Sequence, residues 1–434
     1  MVTKSSQLCE SLVSTKDKRY TASMREQTSQ YYFGLDIGTS TVRCVIGMLE
    51  QGEESNILSV IGHGSAPNMG MRKGVVVRID DVVESVVQAV TEAERVSGVH
   101  VPAATVNVNG TQVLGMNSRG VIAISAANRE ITADDRLRVE EAATIVKLPP
   151  NREIIQVFAK NYRLDGQDNI KDPVGMQGVR LEVDTHIVTA STSTLRNLDL
   201  ALEKAHVAPT HHTISSLAAA EAVLSRQQKE SGTVLIDIGS GTTNLVVLEE
   251  GEVQHVAVLP IGGINITNDL AIGLKTDLDV AEMVKIQHGG LGSRAKNGPV
   301  SVLVNKTRHE FDGDMVHMII EARVEELLEY VDKELKKIQR SRKLPGGVVL
   351  VGGTAKLPGI AEFAKEKLEL AARVGKLQPL AGLMDTVQDP SYSSVVGLML
   401  LDMLLGASHT DTERGKPNQS VSGLLEGIVG RFKR

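Results

Sequence analysis

Val234-Leu-Ile-Asp-Ile-Gly-Ser-Gly-Thr-Thr243 is the stretch around which the chain is organised. Its apolar and β-branched residues with one Asp read as a buried strand. Gly239 and Gly241 then turn the chain tightly, and Asn244-Leu-Val-Val-Leu248 reads as the returning strand. Glycines in such a turn let backbone N–H groups approach a phosphate closely. The hydroxyls of Ser240, Thr242 and Thr243 can add hydrogen bonds. Asp237, at the strand's end, is placed to orient a hydrated Mg²⁺, which keeps most of its waters. An ordinary hairpin turn is the competing reading of one such motif.

The motif occurs twice. Phe33-Gly-Leu-Asp-Ile-Gly-Thr-Ser-Thr-Val42 repeats the order of strand, Asp, glycine turn, hydroxyls and strand, with Asp36, Gly38, Thr39 and Ser40 at the matching positions. Two such hairpins, one in each half of the chain, point to two related domains facing one ligand across a cleft. A third element follows the buried strand Gly347-Val-Val-Leu-Val351. There Gly352 and Gly353 offer bare backbone on which a flat adenine can lie, or form a plain strand-to-helix turn.

The chain has 434 residues, enough for roughly three domains. Its 41% hydrophobic and 23% charged content are those of a soluble globular protein. A net charge of -6 argues against a nucleic-acid partner. Two cysteines, Cys9 and Cys44, imply no disulfide framework and fit a reducing cytosol. No apolar run reaches the 18 or so residues of a membrane span. Val395 to Ala407 is the most apolar stretch, carries Asp402, and reads as a buried helix.

Residues 1–30 read as a disordered leader, with no continuous apolar region of a secretory signal. Val83, Val86, Val87 and Val90 repeat at helical spacing. Short strands and helices then alternate through 79–178, as in a small α+β insert that serves as an interaction module. His211 and His212 lack a third ligand at a zinc-site spacing. Ser215 to Leu224 is a helix of small residues suited to close packing. Its Glu221 is either a solvated charge or a group near an attacking water. Glu282 and Lys285 sit at i,i+3 on a helix, either as a surface ion pair or as contacts to a nucleoside. Met318 to Arg340 reads as a long helix with one apolar stripe.

Residues 408–419 are a polar tether. Beyond it Val421, Leu424, Leu425, Ile428, Val429 and Phe432 form one helical face, with Arg431, Lys433 and Arg434 clustered at the end. Such a helix either docks on its own domain or lies in a membrane interface, and its tether, glycines and basic end favour the membrane.

The two Asp-Ile-Gly hairpins, the Gly352-Gly-Thr354 turn and the helices of small residues resemble the actin/Hsp70/sugar-kinase superfamily. Ser65-Ala-Pro67, Gly70-Met-Arg-Lys-Gly74, Asn169-Ile-Lys-Asp-Pro-Val-Gly-Met176, Ile286-Gln-His-Gly289 and the terminal helix make the chain similar to the FtsA family of bacterial cell-division actin homologues over 31–434. The resemblance implies an α/β, actin-like two-lobed ATPase fold. The implied subdomains are 1A (31–78, 179–210 and 380–407), an inserted 1C (79–178), 2A (211–263 and 339–379) and 2B (264–338). Residues 420–434 become an amphipathic membrane-targeting helix.

The resemblance further implies ATP with Mg²⁺ in the cleft. Asp36, Gly38, Thr39 and Ser40 match the first phosphate loop, and Asp237, Gly239, Ser240, Gly241 and Thr242 the second. Gly262, Gly263, Glu282, Lys285, Gly352 and Gly353 match nucleoside-contacting positions. Asp36 and Asp237 would hold the metal through water. Glu221 is the one catalytic candidate. Implied partners are a C-terminal peptide of FtsZ, further copies in a filament, anionic lipid, and other division proteins through the insert. The implied location is the cytoplasmic face of the inner membrane at the septum. Arg323, Lys306 and Arg308 are candidates for the FtsZ peptide, or simply solvated charges. A small-molecule kinase of the same superfamily is the alternative, and an Hsp70-like chaperone would need a peptide-binding domain after Ala407.

Overall fold

A computed structural model describes residues 30–51, 56–125, 128–294 and 298–406. Two of its sheets share one topology. In the first, Gln30–Ile37, Thr41–Gln51 and Asn56–Pro67 form an antiparallel meander. Ala103–Asn107 and Ala208–Thr213 add in parallel on the other side of Gln30–Ile37. In the second, Thr233–Ile238, Thr243–Glu249 and Glu252–Leu259 form the meander, and Gly347–Val351 and Ala372–Val374 add in parallel. Ala381–Gly382 extends the edge of the first sheet. Thr233–Ile238 and Gly347–Val351 are buried at every position, as strands covered on both faces are.

Each half ends in a helix, and the two helices cross between the sheets. Every residue of Ser215–Val223 except Glu221 is buried. Gly397 lies in the other helix, Ser393–Gly406. A Cβ on Gly397 would fall 1.8 Å from the Ala218 carbonyl oxygen, so the contact requires a glycine. The small residues of the sequence therefore lie where the two helices meet.

The insert is placed differently from the expected 79–178. Helix Ile79–Ser97 buries Val82, Val86, Ala89 and Val90 and packs on Asn56–Pro67. Gly64 brings it close: a Cβ there would lie 2.0 Å from the Ala89 carbonyl oxygen. Ala103–Asn107 also belongs to the first sheet. The separate four-stranded sheet runs Leu114–Ala123, Arg180–Ser191, Arg152–Leu164, Gln167–Ile170 in space, with helix Ala133–Thr144 against it. Arg180–Ser191, assigned from sequence to the first lobe, pairs with two strands of the insert. An apolar stripe names the face a helix buries but not the element that covers it, which is why the limits shifted.

The insert leans on the second half. The Val256 N–H donates to Nε2 of His186 at 3.1 Å, and His186 Nδ1 lies 2.9 Å from Asn117 Oδ1. His186 is buried. Desolvation, then the Lys160 ammonium and His255, hold its pKa well below the usual 6.5.

Residues 264–338 contribute Leu278–His288, the hairpin Pro299–Val304 and Thr307–Asp312, and Gly313–Lys337, beside Gly263–Leu274. The long helix starts earlier than expected, at Gly313, where the Asp312 side chain caps the Asp314 N–H. Of its predicted stripe, Val324, Leu327, Leu328, Val331 and Leu335 are buried, while Ile338 caps the helix and is only partly buried. Among the described residues no helix is long and apolar enough to cross a membrane. The expected leader up to residue 29, the tether 408–419 and the helix 420–434 lie outside the described residues.

Candidate functional site

The two glycine turns are closed by the same bond. Gly38 N–H donates to Thr41 O at 3.1 Å, and Gly239 N–H to Thr242 O at 2.9 Å. Each turn is braced from behind. The Asn68 amide donates to Gly38 O at 2.8 Å. Gly263 N–H and the Thr354 hydroxyl donate to Gly239 O at 2.9 and 3.1 Å, and Ile264 N–H to Ser240 O at 2.8 Å. The turns meet, since a Cβ on Gly241 would lie 2.9 Å from the Thr39 side chain.

Asp36 and Asp237 end their strands side by side in the cleft, each 8% exposed. The Asn107 amide donates to Asp36 Oδ1 and, at 3.1 Å, to Ser215 Oγ. Asn107 Oδ1 accepts the Ile37 N–H at 2.7 Å, which fixes the amide's orientation. Ser394 Oγ donates to Asp237 Oδ2 at 3.0 Å. Burial pushes Asp36 up to about 7, with Asp237 adding to the rise and Arg43 opposing it. Burial pushes Asp237 up to about 6, opposed by the Ser394 hydroxyl and Arg43. Arg43 lies over the Tyr392 ring, 5.2 Å from its centroid. Two desolvated carboxylates, with one arginine acting on both, describe a site where a divalent cation would be favoured.

Both carboxylates line one cavity of about 390 Å³, within the usual range for a bound small molecule. Gly38, Thr39, Ser40, Gly239, Ser240, Thr242, Gly263, Glu282, Lys285, Gly352 and Gly353 line it with them. A Cβ on Gly353 would meet nothing within 4 Å, so that backbone presents an open face. Gly352 has φ +88°, and a Cβ there would lie 2.4 Å from Asp237 Oδ1. Asn244 also lines the cavity, and its buried Oδ1 has no hydrogen-bond partner among the described residues. Paired carboxylates, hydroxyl-bearing turns, an unfilled glycine face and an orphaned oxygen suit a nucleotide with Mg²⁺.

Gly241 and Gly262 do not line the cavity. They are needed for close packing of the turns: a Cβ on Gly262 would lie 2.6 Å from Ser240 O. Glu282 and Lys285 form the ion pair and also line the cavity. Lys285 Nζ is 2.6 Å from Glu282 Oε2 and 2.8 Å from Thr267 Oγ1. Glu221 is a correction. It points away from the cavity to Lys229 Nζ at 2.6 Å, because its side of the helix faces Arg226–Ser231. Arg323 is already engaged by Asp269 and Glu326. Arg308 is exposed and paired with Glu310 at 3.0 Å, and Lys306 is exposed in the hairpin turn. Sequence reading missed Asn107, Ser215, Ser394, Arg43 and Thr354. Signal in the sequence was confined to Ser215, at the start of a small-residue helix, and Thr354, in the Gly352-Gly-Thr354 turn.

A family model described as "Cell division protein FtsA" matches residues 234–397, and one described as "SHS2 domain inserted in FTSA" matches 110–189, the segment of the four-stranded sheet. A chain from the "PilM-PilN type IV pilus biogenesis complex" is similar at a TM-score of 0.60, with 17% identity over 86% of this chain and 98% of that one. MreB5 of Spiroplasma citri, in a structure bound to ADP, is similar at a TM-score of 0.52, with 10% identity over 88% of this chain and 99% of that one. These likenesses speak to the fold, which is actin-like. "Cell division protein FtsA" of Pseudomonas aeruginosa is 34% identical over 423 residues, covering 94% of this chain and 99% of the relative. At that identity over nearly its whole length, the chain belongs to the FtsA family of cell-division proteins.

Proposed function

We propose that this cell-division protein binds ATP with Mg²⁺ in the cleft, polymerises on the cytoplasmic face of the membrane, and anchors FtsZ at the division septum. The observation that carries the nucleotide reading is the pair of matched turns around one cavity, with Asp36 and Asp237 at their bases. Asp36 and Asp237 orient the metal's water shell. Thr39, Ser40, Ser240 and Thr242 bind phosphate oxygens together with the turn amides. Glu282 and Lys285 reach the sugar, and the base lies on Gly352 and Gly353. Mg²⁺, when bound, supplies charge neutralisation to the phosphates. With Glu221 paired to Lys229, no residue is assigned as a general base, and the reading is of a nucleotide binder.

Calorimetric titration with ATP and Mg²⁺ tests it. Asp237→Ala removes a metal contact and Gly353→Glu fills the open face, so both are expected to weaken binding. Unchanged affinity in both variants overturns the assignment.

Support for an FtsZ peptide site within 264–338 comes from exposed Ile272, Leu303 and Met318, with Lys306 and Arg308 on the hairpin. Apolar anchors with flanking charges suit a docked peptide. Because Arg323 is partly buried in its pairs with Asp269 and Glu326, whereas Lys306 is exposed and the Arg308–Glu310 pair lies open to solvent, Lys306 and Arg308 carry the charge reading. Their joint reversal to Glu should weaken an FtsZ tail peptide in fluorescence anisotropy, and full binding by that variant removes them from the site. The insert, held by its own sheet, is the surface for other division proteins.

A further inference from the structure

We infer that Ser394 is a positioning residue through which the first half of the molecule orients the metal carboxylate of the second half. The inference rests on the ATP–Mg²⁺ reading of the cleft.

Asp237 sits on a second-half strand, yet its orientation is set by a helix seated on the first sheet. Ser394 Oγ lies 3.0 Å from Asp237 Oδ2 and 3.5 Å from the Ser215 carbonyl oxygen. The hydroxyl has one proton. The shorter contact to a carboxylate takes it, since a charged acceptor makes the stronger bond. The other oxygen, Oδ1, lies against Gly352, where a side chain would stand 2.4 Å away. One oxygen is bonded and the other has room only because Cβ is missing, so the carboxylate has a defined direction.

The helix carrying Ser394 is anchored elsewhere. Asp402 accepts the Phe33 N–H at 3.0 Å, the Thr105 hydroxyl at 2.8 Å and the Thr210 hydroxyl at 2.9 Å. Those donors lie on the three adjacent strands Gln30–Ile37, Ala103–Asn107 and Ala208–Thr213 of the first sheet. Asp402 thus sets where Ser394 stands relative to the first half. The Asp36 side has its own local holder in Asn107, on a neighbouring strand. Only Asp237 depends on the opposite half, so the metal geometry reports whether the halves are correctly apposed.

The test measures ATP affinity by calorimetry in Mg²⁺ and in EDTA, with thermal unfolding alongside, for wild type, Ser394→Ala and Ser394→Thr. In Ser394→Ala the Mg²⁺-dependent gain in affinity is expected to fall about tenfold. Its affinity in EDTA stays at the wild-type value, its unfolding midpoint falls modestly because buried Asp237 loses a hydroxyl partner, and Ser394→Thr, which keeps the hydroxyl, retains the gain. If wild type binds ATP no better with Mg²⁺ than without, the reading beneath the inference fails. If wild type shows the gain and Ser394→Ala shows it equally, the positioning role is overturned. An equal loss in Mg²⁺ and EDTA also overturns it, since that is the signature of a purely structural residue.

Discussion

Gly241 and Thr39 touch across the cleft: a Cβ on Gly241 would stand 2.9 Å from both Oγ1 and Cγ2 of Thr39. The two phosphate-type turns are therefore in register only while position 241 lacks a side chain. Gly241→Val must push the turns apart or displace the Thr39 side chain. ATP affinity should drop by about tenfold or more, roughly 1.4 kcal/mol, with the fold retained. Calorimetry alongside circular dichroism checks this, and wild-type affinity in the variant would mean that the contact is slack.

Asp36 costs stability in the nucleotide-free protein. Its folded pKa is raised from 3.8 to about 7. A carboxyl raised in this way contributes its stability below the unfolded pKa and loses it as pH rises through the folded one. The loss accumulates between about pH 4 and pH 7, at most about 1.4 kcal/mol per pH unit. Asp36→Asn keeps an acceptor for the Asn107 amide and removes the charge. It should be more stable than wild type by a few kcal/mol at pH 8, with the gain vanishing near pH 4, while metal-dependent nucleotide binding is lost. Urea unfolding at the two pH values measures the difference.

His186 should impose the opposite slope. Its pKa is depressed by burial, and its neutral form accepts the Val256 N–H. Stability from this joint is present above the unfolded histidine value of about 6.5 and declines as pH falls below it, because only the unfolded chain gains the proton readily. His186→Ala leaves the Val256 N–H without its acceptor and should cost about 1–3 kcal/mol at pH 8. The variant should lose part of the acid sensitivity between pH 6.5 and lower pH. Parallel unfolding midpoints against pH for both proteins would contradict the assignment.

At the helix crossing, Gly397→Ala puts a Cβ into the Ala218 backbone, 1.8 Å from its carbonyl oxygen and 2.2 Å from its carbonyl carbon. Backbone cannot rotate aside as a side chain can. The destabilisation should reach about 3 kcal/mol or more, at the upper end of overpacking effects. A urea midpoint within error of wild type would show that the helices separate freely.

The terminal segment is tested from its sequence. Fifteen helical residues span about 22 Å, too short to cross a bilayer, so residues 420–434 should lie flat on it. If they reach anionic lipid, Arg431, Lys433 and Arg434 would add about 1 kcal/mol each. A single copy should bind weakly, and a filament presenting many copies far better, through effective concentration. Phe432→Glu should release the protein from anionic liposomes in co-sedimentation. Equal sedimentation of the variant would transfer the anchor elsewhere and favour docking of the helix on its own domain.

The turns and their chemistry are legible in the residues alone. Asp36-Ile-Gly-Thr39 and Asp237-Ile-Gly-Ser240 specify a strand end, a tight turn and a set of hydroxyls within a few residues, and such local geometry is written in local sequence. The repeat then implied two related halves, and the small residues of Ser215 to Leu224 marked a site of close packing. What those turns face depends on how distant segments pack. Asn107 reaches Asp36 because Ala103–Asn107 pairs with Gln30–Ile37, and Ser394 reaches Asp237 across 157 residues of chain. Glu221 and Arg323 looked available in sequence, but Lys229 and Asp269 occupy them. The insert begins at Leu114 rather than at 79 because valines at helical spacing state that a face is buried and say nothing of which sheet buries it. Pairings between distant segments depend on the packing of whole elements, and no short pattern encodes them.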